Sequence, residues 1–144
     1  MPIEVLLVED NAGDVRLTQE AFRVINSSVR IHVASDGKAA MAFLRREGAH
    51  SDVPRPDIIL LDLNLPKMDG HQVLAHVKED ESLKLIPTVM LTTSRAEADV
   101  VKSYRLHANC YFCKPVQWVE FEAIVKTIND FWLTAVRLPQ QIPA

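Results

Sequence analysis

Hydrophobic residues in this chain fall into short runs that stop abruptly at polar residues. Val5-Leu6-Leu7-Val8 stops at Glu9-Asp10, Ile58-Ile59-Leu60-Leu61 at Asp62, Val89-Met90-Leu91 at Thr92-Thr93, and Tyr111-Phe112-Cys113 at Lys114-Pro115. Short apolar runs bounded by polar residues predict strands buried on both faces. Val29, Ile31 and Val33 instead alternate with polar residues, as in an edge strand. The predicted strands are 3–8, 29–34, 57–62, 88–92 and 109–113. Between them the apolar period becomes that of amphipathic helices. The first helix, 12–25, has Leu17, Ala21, Val24 and Ile25 on its stripe. The second, 37–47, is capped by Asp36 and stopped by Gly48. A loop over 49–56 carries Pro54 and Pro56, and 66–70 reads as a turn. Val73, Leu74 and Val77 mark a helix over 71–79, and a mixed-polarity one spans 95–105. The last starts near Gln117 and carries Phe121, Ile124, Val125, Ile128 and Trp132. Beyond Thr134 the tail is expected to be extended or loose. Five strand–helix units with short connections predict an α/β fold, a doubly wound parallel five-stranded sheet with helices on both faces.

Ligands of open parallel sheets bind outside the carboxyl ends of the strands. If the four abrupt runs share one sheet, Glu9, Asp10, Asp62, Thr92 and Lys114 gather at that edge. Two unit charges ~4 Å apart repel by roughly 4 kcal/mol at an effective dielectric of ~20. Three carboxylates together therefore need a cation or must take up protons. The donors are hard oxygens with no histidine or cysteine among them, which makes Mg²⁺ the natural occupant. A carboxylate can also be a nucleophile toward a phosphoryl group. Such transfer needs charge neutralised on the equatorial oxygens, which a metal ion, the Lys114 ammonium and the Thr92 hydroxyl could do together.

Composition narrows the field. One domain is expected from 144 residues, and 48% apolar content argues against disorder. A formal net charge of −3, from 16 basic and 19 acidic residues, gives no reason to expect nucleic acid or an anionic membrane as partner. No apolar stretch approaches the ~20 residues of a membrane span, and Met1-Pro2-Ile3-Glu4 is unlike a leader. A cytoplasmic location is the default. Cys110 and Cys113 are read as core cysteines, a redox or metal pair being the alternative; three apart on a strand, their thiols would diverge. The five histidines form no ligand pattern and are read as surface residues.

The segments Leu7-Val8-Glu9-Asp10-Asn11, Leu61-Asp62-Leu63-Asn64-Leu65-Pro66-Lys67-Met68-Asp69-Gly70, Leu91-Thr92-Thr93-Ser94 and Lys114-Pro115 closely resemble the receiver domain of bacterial two-component response regulators. Thr92 and Lys114 follow Asp62 by 30 and 52 positions, as in that family. The resemblance covers roughly residues 3–132 and implies a flavodoxin-like strand order 2-1-3-4-5. It implies that Asp62 accepts a phosphoryl group from a phosphohistidine on a sensor histidine kinase. It also implies that Mg²⁺ is held by Asp10 directly, by Glu9 through water, by Asp62 and by the backbone carbonyl of Asn64. Lys114 would contact the phosphoryl oxygen and Thr92 would swing toward it, with Tyr111 turning inward as the switch aromatic; core packing is the plainer reading of Tyr111. Such a protein is a phosphoacceptor that promotes its own phosphorylation and dephosphorylation, not an enzyme acting on a diffusible substrate.

Receivers usually carry glycine where this chain has His107 and Cys110. Side chains with a β-carbon resist the positive φ that glycine supplies there, so a reshaped turn is expected. The chain is read as a receiver over 1–134 with a tail over 135–144 and no output domain. The loop over 49–56, the Leu91–Ser94 switch segment and the tail look like the stand-alone phytochrome-associated regulators of cyanobacteria. That likeness implies a phytochrome-type kinase as donor and a homodimer through the fourth helix, fifth strand and fifth helix. Val116, Trp118 and Val119 are the candidate contacts, with helix-start packing the alternative for Trp118. Two rivals are weaker. Phosphatases with an aspartyl-phosphate intermediate resemble D-x-D-x-T after the first strand, but Asp62 ends the third and is followed two positions on by Asn64. A pseudo-receiver would lose an acid, the hydroxyl or the lysine, and none is lost.

Overall fold

Strand and helix alternate five times along the computed structural model, which describes residues 2–139. The strands are β1 (Ile3–Val8), β2 (Val29–Ala34), β3 (Ile58–Leu61), β4 (Thr88–Thr92) and β5 (Cys110–Cys113). The helices are α1 (Ala12–Ile25), α2 (Gly37–Arg45), α3 (Gly70–Glu79), α4 (Glu97–Arg105) and α5 (Trp118–Asp130). All pairings are parallel, in the order β2-β1-β3-β4-β5. Leu7 lies opposite Leu60, Leu60 opposite Val89, and Val89 opposite Cys110, so the central strands are in register across the sheet.

Alternation along each strand splits the core in two. Leu6, Val8, Ile59, Leu61 and Met90 face α2 and α3, meeting Met41, Val73, Leu74 and Val77. Val5, Leu7, Ile58, Leu60 and Val89 face α1 and α5, meeting Phe22, Phe121, Val125 and Ile128. β3 is apolar at every position, and β1 and β4 are apolar apart from Glu4, Thr88 and Thr92, because both faces are covered.

Several local expectations shift. In α1 the inward residues are Thr18, Ala21 and Phe22, while Leu17 and Val24 are exposed. Thr18 is admitted because its hydroxyl donates to Asp14 O at 2.8 Å. Gly48 does not stop α2. The helix ends at Arg45, and Arg46 takes the left-handed conformation (φ 55°), its N–H bonded to Phe43 O and that of Glu47 to Ala42 O. α4 begins at Glu97 and buries only Ser103. α5 runs on into a π-helical turn, Phe131–Ala135. The tail is not loose as far as it is described: Leu138 is 1% exposed, buried as firmly as the residues of β3 and β4. Residues 140–144 lie outside the described residues. The histidines divide. His76 and His107 are exposed, whereas His32 pairs with Glu4 at 2.6 Å and His71 bridges to Asp99 O and Ser103 Oγ. Both cysteines are free and half-buried, Cys110 against the α1–α5 side and Cys113 against Ser94 O, so they diverge as expected. No helix among the described residues is long and apolar enough to cross a membrane.

Candidate functional site

Backbone pairing continues one residue past the strands, and that assembles the site. Glu9 N donates to Ala34 O at 3.0 Å, Asp62 N to Val8 O at 3.1 Å, and Lys114 N to Thr92 O at 2.7 Å. The first residues beyond β1, β3 and β5 are thereby fixed side by side. Glu9, Asp10 and Asp62 each offer a carboxylate oxygen within 4.8 Å of the others. Glu9, Asp62, Thr92 and Lys114 are buried and Asp10 is exposed. Lys114 Nζ ion-pairs with Glu9, lies 3.0 Å from Asp62 Oδ2, and lies 3.0 Å from Asp14 Oδ2.

Charge in this cluster is a contest between burial and pairing. At Asp62 burial disfavours the carboxylate, but the Lys114 charge, the Thr92 hydroxyl and a hydrogen bond with Glu9 outweigh it and hold the group below its usual range. At Glu9 burial wins. The carboxyl is pushed up to about 7, because the Lys114 ammonium is shared and Asp62 adds negative charge. Burial also works against the charge on Lys114, but the surrounding carboxylates raise its pKa above the ordinary lysine value. The donor set thus fits a divalent cation. Its carboxylate oxygens converge, and one ammonium is too little positive charge to keep them all ionised.

The loop after β3 is built tightly around Asp62. A β-carbon at Gly70 would sit 2.1 Å from Asp62 O, so only glycine lets α3 start there. Asp69 caps α3, accepting from Gln72 N while the Gln72 side chain accepts from Asp69 N. Asn64 is exposed and its N–H donates to Asp62 Oδ1 at 3.3 Å. A cleft of about 500 Å³ opens beside the acids, lined by Asp10, Asn64, Leu65, Asp69, His71 and Asp99.

Beyond Thr92, Ser94 N donates to the Thr92 hydroxyl at 3.4 Å, and Tyr111 O–H donates to Ser94 O at 2.9 Å. Tyr111 is half-buried at the edge of the α2–α3 core. It packs against that core and is also tied to the segment after Thr92. In the α4–β5 turn His107 adopts the left-handed conformation in spite of its β-carbon (φ 72°), whereas Cys110 has no positive φ and opens β5. Val116 and Val119 are 98% and 76% exposed. Trp118 is 38% exposed and stacked on Phe121, so it serves helix-start packing and the surface together.

Asp14 was not foreseen. It lies in the first turn of α1, where an acid reads as a complement to the helix dipole. The signal that could have found it was its place in the first turn of a helix leaving the same sheet edge as Glu9 and Asp10.

A β2-β1-β3-β4-β5 parallel sheet with acids ending β1 and β3, a hydroxyl ending β4 and a lysine following β5 defines a signalling receiver, and the chain belongs to the response regulator receiver domain family, which matches residues 5–126. Within it, the chain is 48% identical over 138 residues to the response regulator Rcp1 of Synechocystis sp., covering 96% of this chain and 94% of that protein. The structure of the phosphorylated cyanobacterial phytochrome response regulator RcpA is similar with a TM-score of 0.93 at 47% identity, covering 96% of this chain and 99% of that one. The Mn²⁺-bound form of Rcp1 gives a TM-score of 0.91 at 48% identity with the same coverage. The phytochrome-associated likeness read from the sequence is upheld. The chain is a two-component receiver related to such regulators, in a family that binds divalent metal at an acidic pocket and works with sensor histidine kinases.

Proposed function

We propose that this chain is a single-domain phosphoacceptor switch over residues 1–134, with 135–144 as its tail. Asp62 takes a phosphoryl group from a phosphohistidine on a sensor histidine kinase of the phytochrome type. The observation that carries this is the buried Asp62 carboxylate, kept ionised 3.0 Å from the Lys114 ammonium and grouped with Glu9 and Asp10. Asp10 and Asp62, the Asn64 carbonyl and, through water, Glu9 would hold Mg²⁺. When bound, the cation would neutralise charge on the transferring group. Asp62 supplies the attacking oxygen, and the Lys114 ammonium and Thr92 hydroxyl are within reach of its equatorial oxygens. Thr92 and Tyr111 form the switch. Movement of the Thr92 segment would release or re-form the Tyr111–Ser94 hydrogen bond and carry the signal to α4 and β5. The protein acts in the cytoplasm as a homodimer through the α4–β5–α5 face, with Val116, Trp118 and Val119 in the contact, and binds neither nucleic acid nor membrane.

Acetyl phosphate with Mg²⁺ should add one phosphoryl mass to the wild type and none to Asp62→Asn, read by intact-mass spectrometry. Undiminished labelling of the variant would overturn the assignment.

A further inference from the structure

Lys114 has a partner that the phosphoacceptor reading does not use. Its ammonium lies 3.0 Å from Asp14 Oδ2 and 3.0 Å from Asp62 Oδ2, so these two oxygens are within twice that distance of each other. The two carboxylates differ in access, with 30% of the Asp14 side chain exposed against 8% for Asp62. Asp14 is fixed at the start of α1, where its N–H is bonded to Asn11 Oδ1 at 2.9 Å. Glu9 and Asp62, both buried, already hold Lys114 from inside. The Asp14 contact is therefore redundant for placing the lysine. What Asp14 adds is a negative charge on the solvent side of the nucleophile, where a donor must arrive.

We infer that Asp14 is a donor-specificity residue: its carboxylate favours phosphoryl donors whose leaving group is a protonated nitrogen over acyl phosphates. The inference rests on the phosphoacceptor reading of Asp62 and adds to it a residue that discriminates between classes of donor. With a nitrogen-linked donor, an Asp62 oxygen bonds to phosphorus as the P–N bond breaks. The electron pair returns to a leaving group that is already protonated, on the departing nitrogen itself in phosphoramidate or on the distal ring nitrogen in a phosphoimidazole, and a neutral amine or imidazole departs. The nearby carboxylate stabilises that nitrogen while it is cationic. With an acyl phosphate the P–O bond breaks and the electron pair leaves on a carboxylate, which Asp14 repels as its charge develops.

The test compares second-order phosphorylation rates with phosphoramidate and with acetyl phosphate at saturating Mg²⁺, followed by intact mass. Asp14→Asn should lower the phosphoramidate-to-acetyl-phosphate rate ratio about fivefold, chiefly by raising the acetyl phosphate rate. Asp14→Glu, which restores the charge, should stay within about twofold of the wild-type ratio, and the gap between wild type and Asp14→Asn should shrink in high salt. A common factor on both rates would mean that Asp14 only positions Lys114, and would overturn the inference while leaving Asp62 as acceptor. An unchanged ratio would overturn it equally. A wild type that takes phosphate from neither donor would remove the acceptor reading and this inference with it.

Discussion

At Glu9, burial and pairing are out of balance, and the imbalance has a measurable consequence. The group is pushed up from 4.5 to about 7 by burial, although it contacts Lys114. A shift of that size corresponds to roughly 3 kcal/mol between protonation states. The folded pKa lies above the unfolded one, so folding favours the protonated form. The resulting stabilisation is complete below pH 4.5 and is lost as pH rises through about 7. Asp62 runs the other way. Its folded pKa lies below 3.8, so its contribution is present above that value and lost as pH falls through the folded one. Metal-free wild type should therefore lose stability between about pH 5 and pH 7.5, and Glu9→Gln should lose roughly 3 kcal/mol less over that window. Urea unfolding in chelator at the two pH values measures the difference, and parallel curves for the two proteins would refute it. The five strand-end residues were legible in the sequence because each interrupts an apolar run. Asp14 was not, because its acid stands in a helix among other polar residues and only the folded chain turns it toward Lys114.

At the scale of elements, strands were read more accurately than helix ends, and the reason is physical. A strand buried on both faces is apolar along most of its length, so β3 and the Val89–Leu91 run of β4 announce themselves. A helix end is set by one backbone conformation, for which glycine is merely the easiest residue. Here two helices end on left-handed residues with β-carbons. After α4, His107 N bonds to Tyr104 O and Ala108 N to Ser103 O; after α2, Arg46 and Glu47 do the same with Phe43 and Ala42. Neither residue signals a stop, whereas Gly48, two positions past Arg46, gives a false one. In α1 the aliphatic residues Leu17 and Val24 outweighed Thr18 in the reading, yet the threonine points inward because its hydroxyl finds a carbonyl within the helix. The left-handed conformation costs a non-glycine residue roughly 1–2 kcal/mol, against about 0.5–1 kcal/mol for the extra chain entropy of glycine. His107→Gly should thus stabilise the protein by about 0.5–1 kcal/mol. Its chemical-denaturation midpoint should rise with the slope unchanged, and a drop would show that the His107 side chain does more than occupy the turn.

At the scale of the molecule, the two ends of the sheet are closed differently. The carboxyl ends carry the acids and the open cleft. At the other end Pro139 lines a small cavity of about 160 Å³ together with Arg55, Pro56, Ile86 and Pro87, beside the starts of β3 and β4, with Leu138 buried next to it in sequence. Neither end accounts for the apolar side chains that flank β5. Val101 and Tyr104 on α4 are each 48% exposed, and Val116 and Val119 around the start of α5 far more so. Among the described residues β5 pairs only with β4 and stands at the edge of the sheet. Val116 and Val119 were picked from sequence as apolar residues where a helix begins, but their exposure could be known only once α5 was seen to bury Phe121, Val125 and Ile128 instead. A second copy is the occupant proposed for this face, and the Tyr111–Ser94 hydrogen bond connects the face to Thr92, so phosphorylation should tighten the pair. Sedimentation velocity at high concentration should show wild-type dimer, increased by acetyl phosphate and Mg²⁺. Val116→Glu combined with Val119→Glu should give monomer by placing like charges in the contact. Because both sites are exposed, the substitutions should each change folding stability by no more than about 0.5 kcal/mol, and Asp62 should still be labelled. A wild type that stays monomeric in both phosphorylation states would remove the dimer, while a double variant that still dimerises would move the contact to another face.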